Sequence, residues 1–235
     1  MLRRRRLARA GVEVRIQCPK VDYGQNGGTW TVCPDRIDSN SVVYSFGIGR
    51  DLSFDLDLID RHGTQINAFD PTPACVQWIR TQELPANLSF HEYGLANFDG
   101  DLEFYPPRKT TSAHFTPVKR YESNSGPPFK APVRKLTTIM QELGHQEIDV
   151  LKMDIEGGEY DVIADIVNRG IPIGQLLVEF HHNYETIPFT RTVDAVLSLE
   201  QIGFRVFAIS PRTYEISLIN VGQQDKSSVR GKPLR

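Results

Sequence analysis

Cysteine, methionine and tryptophan are scarce, with three, three and two copies among 235 residues. Cys18, Cys33 and Cys75 are odd in number and widely spaced, so they suggest neither a thiolate metal site nor a disulfide framework. That suits a reducing compartment, and a cytoplasmic location is expected. No stretch approaches the roughly 20 apolar residues that span a bilayer. No apolar segment follows the first arginines, as a secretory signal would require. A dominant charge is also missing: 27 basic and 29 acidic side chains leave a net charge of -2, and no nucleic-acid partner is expected. Arg3 to Arg6 with Arg9, and Lys226, Arg230, Lys232 and Arg235, form basic ends. They read as solvated tails without a function.

What is present is a soluble composition, 40% hydrophobic, at a size that favours one α/β domain. The organising stretch runs from Val42 to Pro73. Val42 to Phe46 has the β-branched and aromatic content of a buried strand and ends at Gly47-Ile48-Gly49. Leu52, Leu56 and Ile59 then recur at helical spacing until Gly63. Gln65 to Phe69 is a second strand, closed by Asp70 and by two prolines. Strand, glycine turn, helix, strand and acid form the opening unit of a nucleotide-binding sheet.

The N-terminal part, residues 1–40, reads as an extension and cap, with a short strand at Val12 to Ile16. Its glycine-rich loop, Asp22 to Trp30, reads first as an irregular cap with Trp30 packed on the core, and second as cover for a ligand. The main domain spans residues 41–222, and the basic tail 223–235. After Asp70 come a helix opened by Thr72 and Pro73, a strand from Leu88 to Leu95, and a turn and strand over Asn97 to Tyr105. Residues 106–132 hold six prolines and little periodicity, which predicts a long substrate-side loop or lid. A helix closed by Gly144, a strand from Ile148 to Met153 and a helix closed by Gly170 follow. Next are a strand from Gln175 to Phe180, another helix, and two strands at Phe204 to Ile209 and Tyr214 to Val221. Their link is too short for a crossover, so the last pair is an antiparallel hairpin. The prediction is a Rossmann-like, doubly wound, seven-stranded mixed sheet. A terminal hairpin of this kind is characteristic of class I S-adenosylmethionine methyltransferases.

Ligands of open parallel sheets bind outside the carboxyl ends of the strands. Here those ends carry Gly47 and Gly49, Asp70, Gly94 to Asn97, Asp154 with Glu156, and His181 with His182. Each has an ordinary structural reading, as helix cap, dipole partner or satisfied histidine. Their collection on one rim favours a site. An NAD-dependent oxidoreductase is the weaker alternative, because the third glycine of the dinucleotide fingerprint is replaced by Leu52.

Leu151-Lys152-Met153-Asp154-Ile155-Glu156-Gly157-Gly158-Glu159 closely resembles the LKxDxEGxE signature of FkbM-type methyltransferases. Tyr44 to Gly49, Ala68 to Pro73, Leu177 to His182 and Phe207 to Ser210 extend the resemblance, which covers about Gly24 to Asn220. It implies S-adenosylmethionine as cofactor, S-adenosylhomocysteine as product and O-methylation of a small-molecule hydroxyl. By position, it implies that Ser45, Phe46, Gly47 and Gly49 line the methionine part. Asp70 with Pro71 would hold the ribose, Leu95, Ala96 and Asn97 would edge the adenine, and Asp154 and Glu156 would face methyl transfer. Ser45 departs from the pattern, since many class I enzymes carry an acid there. His181 is the first expectation for a general base, Asp154 the second, with His182 beside them. No metal is expected. A binding module without turnover is a second functional reading, and the oligomeric state stays open, a homodimer included.

Overall fold

The computed structural model describes residues 2–25, 27–107, 115–119 and 126–222. In chain order the helices and strands are α1 (Leu2–Arg9), β1 (Val21–Tyr23), β2 (Trp30–Val32), β3 (Val42–Phe46), α2 (Ser53–His62) and β4 (Gln65–Phe69). Next are α3 (Pro73–Ile79), β5 (Leu88–His91), β6 (Gly94–Leu95), β7 (Gly100–Phe104), β8 (Phe129–Arg134) and α4 (Leu136–Leu143). The chain closes with β9 (Ile148–Met153), α5 (Glu159–Arg169), β10 (Ile173–Glu179), α6 (Phe189–Gln201), β11 (Phe204–Ile209) and β12 (Glu215–Asn220).

The main sheet has seven strands in the order β11-β12-β10-β9-β3-β4-β5. The five strands from β10 to β5 are parallel, β12 runs antiparallel to β10, and β11 runs antiparallel to β12. This is the expected mixed sheet with its closing hairpin. The chain winds outward from β3 to β5 and returns to β9 on the other side of β3. The carboxyl ends of β3 and β9 therefore flank a topological switch point, where a crevice opens.

Alternation of side chains along the central strands builds two cores. Tyr44, Phe46, Leu151, Met153, Leu176 and Val178 face one side with α4, α5 and α6. Val43, Ile66, Val150 and Leu177 face the other, with Phe54 and Leu58 of α2 and with Tyr23, Trp30 and Val32 of the β1–β2 hairpin. A one-residue register slip would exchange the two sets, so the dense apolar packing on both faces fixes the register.

Four differences from the sequence reading have physical causes. The first arginines form α1, docked through Leu7 (1 % exposed) and through Arg6 over the Phe189 ring at 4.1 Å. Val12 to Ile16 makes no strand; Arg15 and Ile16 both donate their amides to Val206 O, beside the bulge in β11. The strand expected over Leu88 to Leu95 divides after His91, because β4 stops at Phe69 and the chain then turns through Pro71 and Pro73. Finally, β8 begins inside the expected long loop and joins β6 and β7 in a separate three-stranded sheet. Pro132 is tolerated there because β6 pairs only with Val133 and Arg134, leaving the proline beyond its reach. Residues 108–114 and 120–125 of that loop, and the basic tail after residue 222, lie outside the described residues.

Candidate active site

A cavity of about 700 Å³ opens at the switch point. Its floor is the β3 turn. Gly47 donates its amide to Phe69 O (2.9 Å), and Phe46 O accepts from the Asp154 amide (3.1 Å), so the turn is tied to both neighbouring strand ends. Gly47 has φ 72°, and a β-carbon there would fall 1.7 Å from Asp154 O. Gly49 has φ 57°, but its β-carbon would meet nothing within 4 Å. The first glycine is thus demanded by backbone packing, whereas the second borders open space.

Asp70 closes β4 and clamps this turn. One carboxylate oxygen accepts from the Gly49 amide at 2.9 Å. The other accepts from the Thr72 amide (2.8 Å) and hydroxyl (2.6 Å). Burial raises its pKa, and these hydrogen bonds pull the other way. Asp70 lines the cavity with three of its roughly four acceptor sites already used, so it has structural work beyond a ribose contact. Phe46, Pro71, Leu95, Ala96 and Asn97 also line the cavity, as expected, whereas Ser45 is fully buried beneath it. Gly27, Gly28 and Trp30 reach the cavity as well, although Trp30 is only 4 % exposed; the loop both packs and covers. Phe115, Pro117 and Val118 approach from the proline-rich segment.

The signature block forms the wall beyond β9. Glu156 sits in the left-handed region at φ 52°, a strained conformation for a residue with a side chain. The bend turns Asp154 and Glu156 toward the cavity and sends Glu159 inward, where it is completely buried. Glu159 accepts the Gly157 and His181 amides, each at 2.8 Å, and its Oε1 lies 3.3 Å from His181 Nδ1. His181 Nε2 is thereby held 3.4 Å from Glu156 Oε2 and 3.7 Å from Asp154 Oδ1. Burial alone would lower the His181 pKa. The Glu159 hydrogen bond and the charges of Glu159, Glu156 and Asp154 outweigh it, raising the pKa to about 10. Tyr184 donates to the same Glu156 oxygen, Oε2, that faces His181. One ligand atom each from Asp154, Glu156 and His181 lies within 4.8 Å of the others, so this trio could hold a divalent cation.

Two catalytic expectations change. His181 is buried behind the carboxylates, with both ring nitrogens turned to acids, and it is not part of the cavity lining. Its ring packs behind the acidic wall, against Asp154, Glu156 and Glu159. His182, next along the chain, points to the opposite side. Its Nδ1 lies 3.0 Å from Thr192 Oγ1 and its ring packs on Phe189 and Tyr214, away from the cavity.

Sequence reasoning passed over Asp55, Lys152 and Glu179, all of which line the cavity. Glu179 ends β10, and its pKa is pushed up to about 7 by burial and by the nearby Asp154, Glu215 and Glu156 charges. A charged residue inside an apolar strand was the available signal for Lys152 and Glu179. Leu52, which stands where a dinucleotide site needs glycine, is 6 % exposed and fills the space between α2 and the sheet.

A family profile described as "Methyltransferase FkbM domain" matches residues 36–206. Probable methyltransferase-like protein 24 from Homo sapiens is 26% identical over 197 residues, covering 76% of this chain and 47% of the relative. The Rattus norvegicus protein of that name is 26% identical over 205 residues, covering 79% and 50%. The chain therefore spans about half the length of these curated relatives. The crystal structure of methyltransferase FkbM from Methylobacillus flagellatus KT is similar at 14% identity and a TM-score of 0.49, covering 78% of this chain and 44% of that one. With the profile covering most of the chain, including the glycine turn and the strained acidic block, the protein belongs to the FkbM methyltransferase family.

Proposed function

We propose that the chain uses S-adenosylmethionine to methylate a hydroxyl of a small molecule. The observation that carries this reading is the crevice between β3 and β9, with an open glycine turn on one side and two carboxylates, Asp154 and Glu156, on the other. The residues present fit the cofactor: Gly49 leaves room where a side chain would project, and Leu52 removes the glycine a pyrophosphate site requires. Bound there, S-adenosylmethionine supplies a sulfonium methyl; an oxygen–carbon bond to the acceptor forms as the carbon–sulfur bond breaks, leaving S-adenosylhomocysteine.

The chain's own residues position the acceptor and receive its proton. Asp154, 23% exposed at its side chain against 13% for Glu156, is the more accessible carboxylate and is assigned as proton acceptor. Glu159 and His181 position the acidic wall by holding the loop between β9 and α5. Trp30 and the glycines before it wall off the cavity, and excluding water strengthens the interactions within. Most of the acceleration then comes from holding acceptor and methyl group in line.

Calorimetry with S-adenosylhomocysteine and with NADH tests the cofactor. Binding of the first and not the second supports the reading, and the reverse outcome overturns it. Asp154→Asn tests the acid. Single-turnover transfer to an acceptor found by screening should fall at least 100-fold while S-adenosylhomocysteine binds as before.

A further inference from the structure

Asp55 is the third residue of α2 and is 1 % exposed. Neither its Oδ1 nor the Ser45 hydroxyl makes a hydrogen bond of good geometry among the described residues, although the hydroxyl lies close enough to Asp55 to lower its pKa. A buried polar atom without a partner costs about 1–3 kcal/mol, so two that share one spot need a reason. An acid in the first turn of a helix serves the helix dipole well enough at the surface, and that role does not account for burying it.

The surroundings narrow the reason. Ser45 and Lys152 lie opposite each other in the β3–β9 register, so their side chains stand on the same face of the sheet, the face that α2 covers. Lys152 is 5 % exposed; its ammonium donates to Phe46 O (3.1 Å) and Gly47 O (2.9 Å) and lies 5.3 Å over the Trp30 ring. An ammonium has three donors, and among the described residues Lys152 spends two. Asp55 and Lys152 both line the cavity, beside the glycine turn. The pocket end therefore presents an acid with a spare acceptor, backed by the buried Ser45 hydroxyl, and a cation with a spare donor. That set matches the two charges of an α-amino acid.

We infer that Asp55 and Lys152, with Ser45 backing Asp55 from below, form a subsite for an amino-acid zwitterion: Asp55 Oδ1 receives the α-ammonium of S-adenosylmethionine or S-adenosylhomocysteine, and Lys152 Nζ receives the α-carboxylate. The inference rests on the proposed cofactor. It also accounts for Ser45, which stands where an acid was expected at the strand end. Here helix α2 supplies the carboxylate from across the gap.

The experiment compares S-adenosylhomocysteine with 5′-methylthioadenosine, which keeps the adenosine and the sulfur but lacks the amino-acid part. Titration calorimetry is run on the full chain, on Asp55→Asn, and on Asp55→Asn combined with Ser45→Asp. Asp55→Asn should weaken S-adenosylhomocysteine about 10- to 100-fold, the range for a hydrogen bond to a charged group. It should leave methylthioadenosine within about threefold, and the double variant should recover at least a third of the lost factor on a logarithmic scale. Methylthioadenosine binding also reports that each variant is folded. Unchanged S-adenosylhomocysteine affinity in Asp55→Asn, or an equal loss for both ligands, overturns the subsite while leaving the cofactor reading in place. A wild-type chain that binds neither ligand overturns the cofactor reading and the subsite with it.

Discussion

Gly47 cannot carry a side chain. A methyl group there would meet the Asp154 carbonyl at 1.7 Å, and both partners are backbone fixed by strand pairing. Gly47→Ala should cost more than about 4 kcal/mol in urea unfolding, at the severe end for one substitution. Gly49→Ala faces open space and should lose only the left-handed penalty of about 1–2 kcal/mol. Equal losses would remove the distinction between a packed glycine and an open one. Asp55 gives a pH signature of its own. Burial raises its pKa from 3.8 to about 6; Lys152 on β9 and Ser45 on β3 pull it down, and Asp51 in the turn before α2 pushes it up. A folded-state pKa above the unfolded one means that ionisation disfavours the fold. Its contribution therefore worsens as pH rises from about 4 to about 6 and is level outside that window, by about 3 kcal/mol in all. The stability difference between wild type and Asp55→Asn, followed by urea unfolding from pH 4 to 7, should shift by that order in favour of the variant. A flat difference would show that Asp55 titrates normally. The acid was invisible in the sequence because a first-turn aspartate ordinarily faces water. Asp154 and Glu156, by contrast, were legible from their block. The role of His181 was not, since it depends on Glu159 turning inward after the strained bend at Glu156.

At the scale of elements, alternation and helical periodicity carried the central architecture, because a sheet covered on both faces leaves few ways to bury those strands. Legibility failed where tertiary partners decide. The run Arg3 to Arg6 hid a helix: Leu7 is the side chain that its charges flank and the core buries, and Arg3 and Arg6 stack on Tyr214 and Phe189. Leu7→Ala should therefore cost about 2–4 kcal/mol in urea unfolding, as for a core leucine. A loss below about 0.5 kcal/mol would mean that α1 does not contribute to the core. β8 was hidden by its own proline, which marks a loop unless the neighbouring strand stops short of it, as β6 does. The split between β5 and β6 was equally unreadable, because the turn that ends β4 and sets it lies more than twenty positions upstream.

Over the whole molecule, the crevice joins the two halves of the winding. One wall comes from β3, α2 and β4, and the other from β9 and the loop leading into α5. A ligand seated there makes contacts that exist only when both halves are folded, so its binding energy adds to global stability and not to that of one segment. S-adenosylhomocysteine at 100 times its Kd should therefore stabilise the chain by about 2.7 kcal/mol. For a chain of this size that corresponds to a rise in Tm of roughly 5–10 °C. Thermal unfolding followed by circular dichroism measures the shift, and a single transition that moves as one is the expected form. NADH at the same concentration should leave it in place, because Leu52 stands where the dinucleotide fingerprint has the third glycine that its close helix–strand packing requires. Methylthioadenosine at the same multiple of its own Kd should stabilise equally, since only fractional saturation enters. At equal concentration it should stabilise less, by the share of affinity that Asp55, Ser45 and Lys152 contribute. A ligand-induced rise confined to one of two separate transitions would show that the halves unfold independently and that the crevice does not couple them.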